Sequence, residues 1–81
     1  MDKKLYSRNQ LALQRLLREV RLEQDVRQQD LAERIGEPQS FVSKYEHGER
    51  RLDILELRDI CQSLGISLAE FVDRLEKQLL K

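Results

Sequence analysis

Residues 28–48 read QQDLAERIGEPQSFVSKYEHG, and the spacing of their apolar side chains decides the fold. Leu31, Ala32 and Ile35 recur at helical intervals before Gly36, and Val42 and Tyr45 do the same before Gly48. Gly suits the left-handed backbone that ends a helix, and Pro38 suits the entrance of the next, where a missing N–H is no loss. The pattern predicts two short helices, about 28–35 and 39–47, joined only by Gly36, Glu37 and Pro38. Helices joined so closely must cross steeply, which leaves one face of the second free to project outward.

The same logic extends in both directions. Ser7 and Gln10 have capping-box spacing, and a helix from about 8 to 24 places Leu13, Leu16, Leu17 and Val20 on one face. Asp25 is its expected stop, because Asp tolerates the left-handed conformation better than most residues. Downstream, Asp53 and Glu56 open a helix carrying Ile54, Leu57, Ile60, Cys61 and Leu64, stopped by Gly65. Ser67 and Glu70 open a last one, carrying Leu68, Phe71, Val72, Leu75 and Leu79. The expectation is one all-α domain of five helices, with no strand, linker, low-complexity stretch or internal repeat.

Composition agrees and removes several classes of function. The chain has 81 residues, 40% hydrophobic, only 5% aromatic and 37% charged, so the core must be mainly aliphatic. No apolar run approaches the roughly 18 residues of a membrane span, and the N-terminus carries no signal-peptide pattern. A single cysteine, Cys61, cannot close an internal disulfide, and its expected role is a small buried hydrophobe in a reducing, cytoplasmic setting. One His and one Cys give no zinc set and no nucleophile–base arrangement, and no Gly-rich phosphate loop is present. No catalytic residue, metal or cofactor is expected.

The 15 basic and 15 acidic residues cancel, but unevenly along the chain. Residues 1–25 hold six basic and four acidic side chains, and residues 52–81 hold four and six. That tilt permits an N-terminal half that faces an anion. On the third helix Gln39, Ser40, Ser43, Lys44 and His47 share a face at spacings of three and four. All are hydrogen-bonding side chains and none is a carboxylate. Such a helix fits the major groove of B-DNA, where amides, hydroxyls and amines can read base edges. An ordinary solvated face has the same composition, and the helix alone does not separate the two readings.

The run from Leu17 to Phe71 resembles the Xre/Cro-type, phage-repressor-like helix-turn-helix family. The likeness lies in Val26-Arg27-Gln28-Gln29-Asp30-Leu31-Ala32, then Ile35-Gly36, then Gln39 through Arg51, and finally Leu64-Gly65-Ile66-Ser67, with the spacing kept throughout. It implies a lambda-repressor-like five-helix domain spanning 1–81, with a family core of about 13–72 and a C-terminal helix of about 68–80. It further implies a transcriptional regulator, repressor-like and prokaryotic or phage-encoded, that reads double-stranded DNA with the helix at 39–47. Gln39, Ser40, Ser43 and Lys44 would face the bases, an amide suiting adenine and an amine suiting guanine. Arg27, Gln28, Arg50 and Arg51 would face phosphates. Arg21 and Glu46 match a structural pair that bridges the first and third helices.

Three positions depart from the family pattern. Arg27 replaces a Ser or Thr cap, so the second helix is expected to start less well satisfied. Asp25 replaces a frequent Gly, and Leu52 a frequent Pro. His47, at the end of the third helix, favours the helix dipole when charged. Tyr6 and Phe41 are expected to be partly exposed. Leu75, Leu79 and Leu80 extend the last apolar stripe beyond the core, and a homodimer contact there would pair two recognition helices about 34 Å apart on a palindromic operator. The tail could instead fold back near Leu5 and Leu11. Alternative settings are an antitoxin-like or restriction-modification controller protein, or a protein-interaction module that has lost DNA affinity.

Overall fold

A computed structural model describes residues 7–80, in which five helices and no strand are present: α1 (Arg8–Glu23), α2 (Gln28–Ile35), α3 (Gln39–Glu46), α4 (Ile54–Ser63) and α5 (Leu68–Leu79). Each start has a local cause. The Ser7 hydroxyl accepts from the Gln10 N–H at 3.0 Å, and the Ser67 hydroxyl accepts from the Glu70 N–H at 3.0 Å. Asp53 and Glu56 close a full reciprocal box, at 2.8 and 2.9 Å. α2 begins, as expected, without a side-chain cap on its first N–H groups. The Arg27 side chain cannot accept a hydrogen bond, but the Asp30 carboxylate reaches back to the Arg27 N–H at 3.3 Å and satisfies it.

The ends of α1 to α4 share one device. Val26 N–H donates to the Arg21 carbonyl and Asp25 N–H to the Leu22 carbonyl, with Asp25 left-handed at φ 56°. The same crossed pair links Glu37 to Ala32 and Gly36 to Glu33, Glu49 to Lys44 and Gly48 to Tyr45, and Ile66 to Cys61 and Gly65 to Gln62. These are Schellman ends, which satisfy the last carbonyls of a helix and turn the chain sharply. α3 accordingly stops at Glu46, one residue before the predicted His47. Gly48 has a second constraint, since a Cβ there would collide with the Gln14 side chain from α1.

The buried faces meet in one cluster: Leu16, Leu17 and Val20 from α1, Leu31 and Ala32 from α2, Val42 and Tyr45 from α3, Ile60 and Cys61 from α4, and Phe71 from α5, completed by Val26 and Leu64. Each large member contributes about 1.5–3 kcal/mol by leaving water, so truncating a fully buried one such as Leu31 to Ala would cost about 2–5 kcal/mol. Burial pushes the Cys61 thiol up to about 11, which keeps it protonated and unreactive at neutral pH. Two polar ties hold the periphery. Arg34 Nη1 donates to the Ser63 carbonyl at 2.9 Å, joining α2 to the end of α4. Arg74 makes a two-pronged pair with Glu23 at 2.7 and 2.9 Å, joining α5 to the end of α1.

Some apolar positions lie elsewhere than the periodicity placed them. Ile54, expected inward, is 60% exposed, because it occupies the first turn of α4 beyond the reach of the core. Val72 is also exposed. Leu75, expected to lack packing, is half-buried against the core cluster, while Leu80 is 81% exposed. Leu5 and Tyr6 lie outside the described residues. Among the described residues no helix is long and apolar enough to cross a membrane, and no group of His, Cys, Asp and Glu could hold a metal ion.

Candidate nucleic-acid interface

α3 buries Val42 and Tyr45 and turns its other face to solvent, with Gln39, Ser40, Lys44 and His47 exposed and Ser43 half-buried. What fixes that face is the ion pair beneath it. Arg21 Nε and Nη2 donate to the Glu46 carboxylate at 2.7 and 2.9 Å, and Nη1 donates to the Val26 carbonyl at 2.8 Å. The two side chains are only 7% and 2% exposed. The Glu46 hydrogen bonds push the Arg21 guanidinium further above its already high range, so Arg21 stays charged. Three donors of Arg21 thus tie α1, the α1–α2 link and the end of α3 into one unit.

A relay runs from this pair to the front of α3. The Gln28 side chain donates through Nε2 to Glu46 Oε1 at 3.0 Å and accepts through Oε1 from Gln39 Nε2 at 3.1 Å. Gln28, the first residue of α2, therefore bridges both ends of α3. Sequence spacing places Gln28 and Gln39 at two helix starts but says nothing of their contact, which depends on how α2 crosses α3.

The predicted phosphate-facing arginines have occupied guanidiniums. Arg27 is paired with Asp30 at 3.0 and 3.1 Å on an exposed surface. Arg50 is held more firmly. Its Nη1 and Nη2 donate to Glu56 at 3.0 and 2.8 Å, Nη1 also reaches the Arg51 carbonyl at 2.8 Å, and its carbon stands 4.5 Å over the Phe41 ring. Phe41 in turn meets Tyr45 edge-on, with centroids 5.7 Å apart. Arg50 thus links the loop after α3 to the start of α4, over an aromatic pair. This assembly was missed from sequence, where Glu56 was visible only as the capping partner of Asp53. Gln14, buried under Gly48, was missed as well.

Two short helices joined by a three-residue turn, the second carrying an exposed polar face above a buried ion pair, define a helix-turn-helix domain. A family profile described as Helix-turn-helix matches residues 17–71, and the chain belongs to this Xre-type family. Among solved structures it is similar to an XRE-family like protein from Pseudomonas syringae pv. tomato str. DC3000, at 41% identity over 94% of this chain and 93% of that one, with a TM-score of 0.84. It is also similar to the restriction-modification controller protein C.Esp1396I, solved as a tetramer in complex with its natural 35 base-pair operator, at 29% identity over 93% and 99% of the two chains and a TM-score of 0.83. The clp gene regulator ClgR from Corynebacterium glutamicum shares the fold, at 24% identity over 91% and 79% of the two chains and a TM-score of 0.80. No curated protein matches the chain.

Proposed function

We propose that the protein is a sequence-specific, duplex-DNA-binding transcriptional regulator of repressor type, acting in a prokaryotic cytoplasm. The observation that carries this reading is the exposed face of α3, free of carboxylates and fixed from below by Arg21, Glu46 and Gln28. An α-helix of this kind can enter the major groove, and its amide, hydroxyl and amine groups match base edges. The operator complex of a relative with the same fold supports it. Gln39, Ser40, Ser43 and Lys44 are the proposed base readers. Arg27, Gln28, Arg50 and Arg51 are the proposed phosphate contacts, with Arg27 and Arg50 sharing their guanidiniums between a phosphate and the carboxylates of Asp30 and Glu56. A two-fold dimer through the end of α5, at the exposed Leu80 with the half-buried Leu75 and Leu79 beside it, would present two such faces to a palindromic site. The net charge of zero makes pairing of two faces the route to useful affinity.

Selection from a random duplex library at moderate salt tests the proposal. An enriched palindrome supports both specificity and the dimer, and an enriched single half-site removes the dimer. A pool unchanged from the input refutes the regulator reading in favour of a protein-interaction module. On the selected site, Lys44→Ala should weaken binding by about 1–3 kcal/mol and relax preference at one base position per half-site. Arg51→Ala should weaken binding on all sequences alike and lower the salt slope by about 1.

A further inference from the structure

We infer that the cleft between α1, α2 and α3 is a seat for a DNA phosphate in which His47 becomes a donor only when protonated; this rests on the duplex-DNA reading above. The cleft has a volume of about 340 Å³ and is lined by Arg18 and Arg21 from α1, Gln28 from α2, and Glu46 and His47 at the end of α3. Part of that lining is already committed. Arg21 is bound to Glu46, and the Gln28 amide is held between Glu46 and Gln39. Arg18 and His47 complete it, and both are exposed. The cleft shares Gln28 with the bridge to Gln39 and takes Glu46 and His47 from the end of α3, so it adjoins the helix proposed to enter the groove.

The imidazole geometry makes the seat conditional. His47 Nδ1 lies 2.7 Å from the Ser43 carbonyl oxygen and 3.5 Å from the Ser43 hydroxyl. A carbonyl only accepts, so Nδ1 carries a hydrogen and donates it, and any contact with an anion falls to Nε2. In the neutral ring Nε2 presents a lone pair, which repels a phosphate oxygen; protonation replaces it with an N–H donor and a positive charge. Histidine is the side chain whose charge changes between about pH 5 and 8. The charged groups facing it are Arg18 and Arg21 from α1 and Glu46 on α3, while α2 contributes the uncharged Gln28. Arg21 and Glu46 cancel, so protonation of His47 doubles the positive charge that Arg18 alone supplies.

The test is fluorescence anisotropy of the full chain with a labelled duplex, in non-phosphate buffer, from about pH 8 to about pH 5.5. Affinity of the unaltered protein should rise about tenfold on acidification, the worth of one charge-assisted hydrogen bond, with a salt slope steeper by about 0.9 at the acid end. His47→Gln should bind with little pH dependence, at the affinity the unaltered protein shows near pH 8. His47→Arg, charged throughout, should bind at pH 8 as tightly as the unaltered protein does at pH 5.5, which keeps the test independent of any folding defect in the glutamine variant. Equal pH responses of the unaltered protein and His47→Gln overturn the seat while leaving DNA binding intact. Absence of binding by every variant at every pH overturns the DNA reading and the seat together.

Discussion

Removing one member of the Arg21–Glu46 pair should cost far more than a surface ion pair is worth. In Arg21→Met, Glu46 loses two hydrogen bonds at 2.7 and 2.9 Å and, among the described residues, keeps the Gln28 amide, while its side chain is 2% exposed. The Val26 carbonyl loses its Arg21 donor as well. A buried charge stranded in this way costs about 3–5 kcal/mol, against about 0–1 kcal/mol for an exposed pair. A chain of this size has a total stability of about 4–12 kcal/mol, so the variant should be marginal, with its Tm lowered by about 15–30 °C. Urea melts of Arg21→Met, Glu46→Leu and the double variant make the measurement. Each single variant should show the full loss, and the double variant should recover much of it, because two apolar side chains leave no stranded charge. Single-variant losses of no more than about 1 kcal/mol, with simple additivity in the double variant, would refute the reasoning and reduce the pair to a surface contact.

Tyr45→Phe should leave stability unchanged or raise it by up to about 1 kcal/mol in urea melts, because the Tyr45 hydroxyl is buried with no hydrogen-bond partner among the described residues; a large loss would show that the hydroxyl is bonded in solution. Asp25→Gly should stabilise by about 0.5–1 kcal/mol, since Asp25 holds φ at 56° in a helix end that three glycines occupy elsewhere. The pH dependence has a defined sign. The hydrogen bonds from Arg50, followed by the N–H of Asp53, hold the Glu56 carboxyl below its ordinary value of 4.5. A depressed folded pKa stabilises above the unfolded value, and that contribution is lost as pH falls through the folded one. The urea midpoint should therefore fall on acidification from about pH 5, and less steeply in Glu56→Gln than in the unaltered protein.

The helices were legible because their causes are local. Ser7, Asp53 and Ser67 sit beside the N–H groups they cap, and Asp25, Gly36, Gly48 and Gly65 sit where the chain must turn. The exposed face of α3 was legible for the same reason, since spacing alone puts Gln39, Ser43 and His47 on one side. What joins that face to the rest was not. The Arg50 guanidinium over Phe41, the Gln28–Gln39 bridge and Gln14 beneath Gly48 connect residues up to 34 positions apart, through packing that no periodicity encodes. Arg50 illustrates the difficulty: its charge is visible in the sequence, whereas the Glu56 carboxylate that occupies it becomes apparent only once the chain has folded.

The Gln28 bridge also limits how this surface can change. Gln39 is ordered by its neighbour before it meets any ligand, so the entropy of fixing that side chain, about 0.5–1.5 kcal/mol, falls on folding and not on association. The same coupling ties the two positions together under substitution. A replacement at Gln39 that lacks an N–H donor leaves the Gln28 carbonyl without its partner, and a replacement at Gln28 frees Gln39 and leaves Glu46 Oε1 to Arg21 alone. Residues 28 and 39 are therefore expected to tolerate substitution better as a pair than singly, with Glu46 and Arg21 kept beneath them.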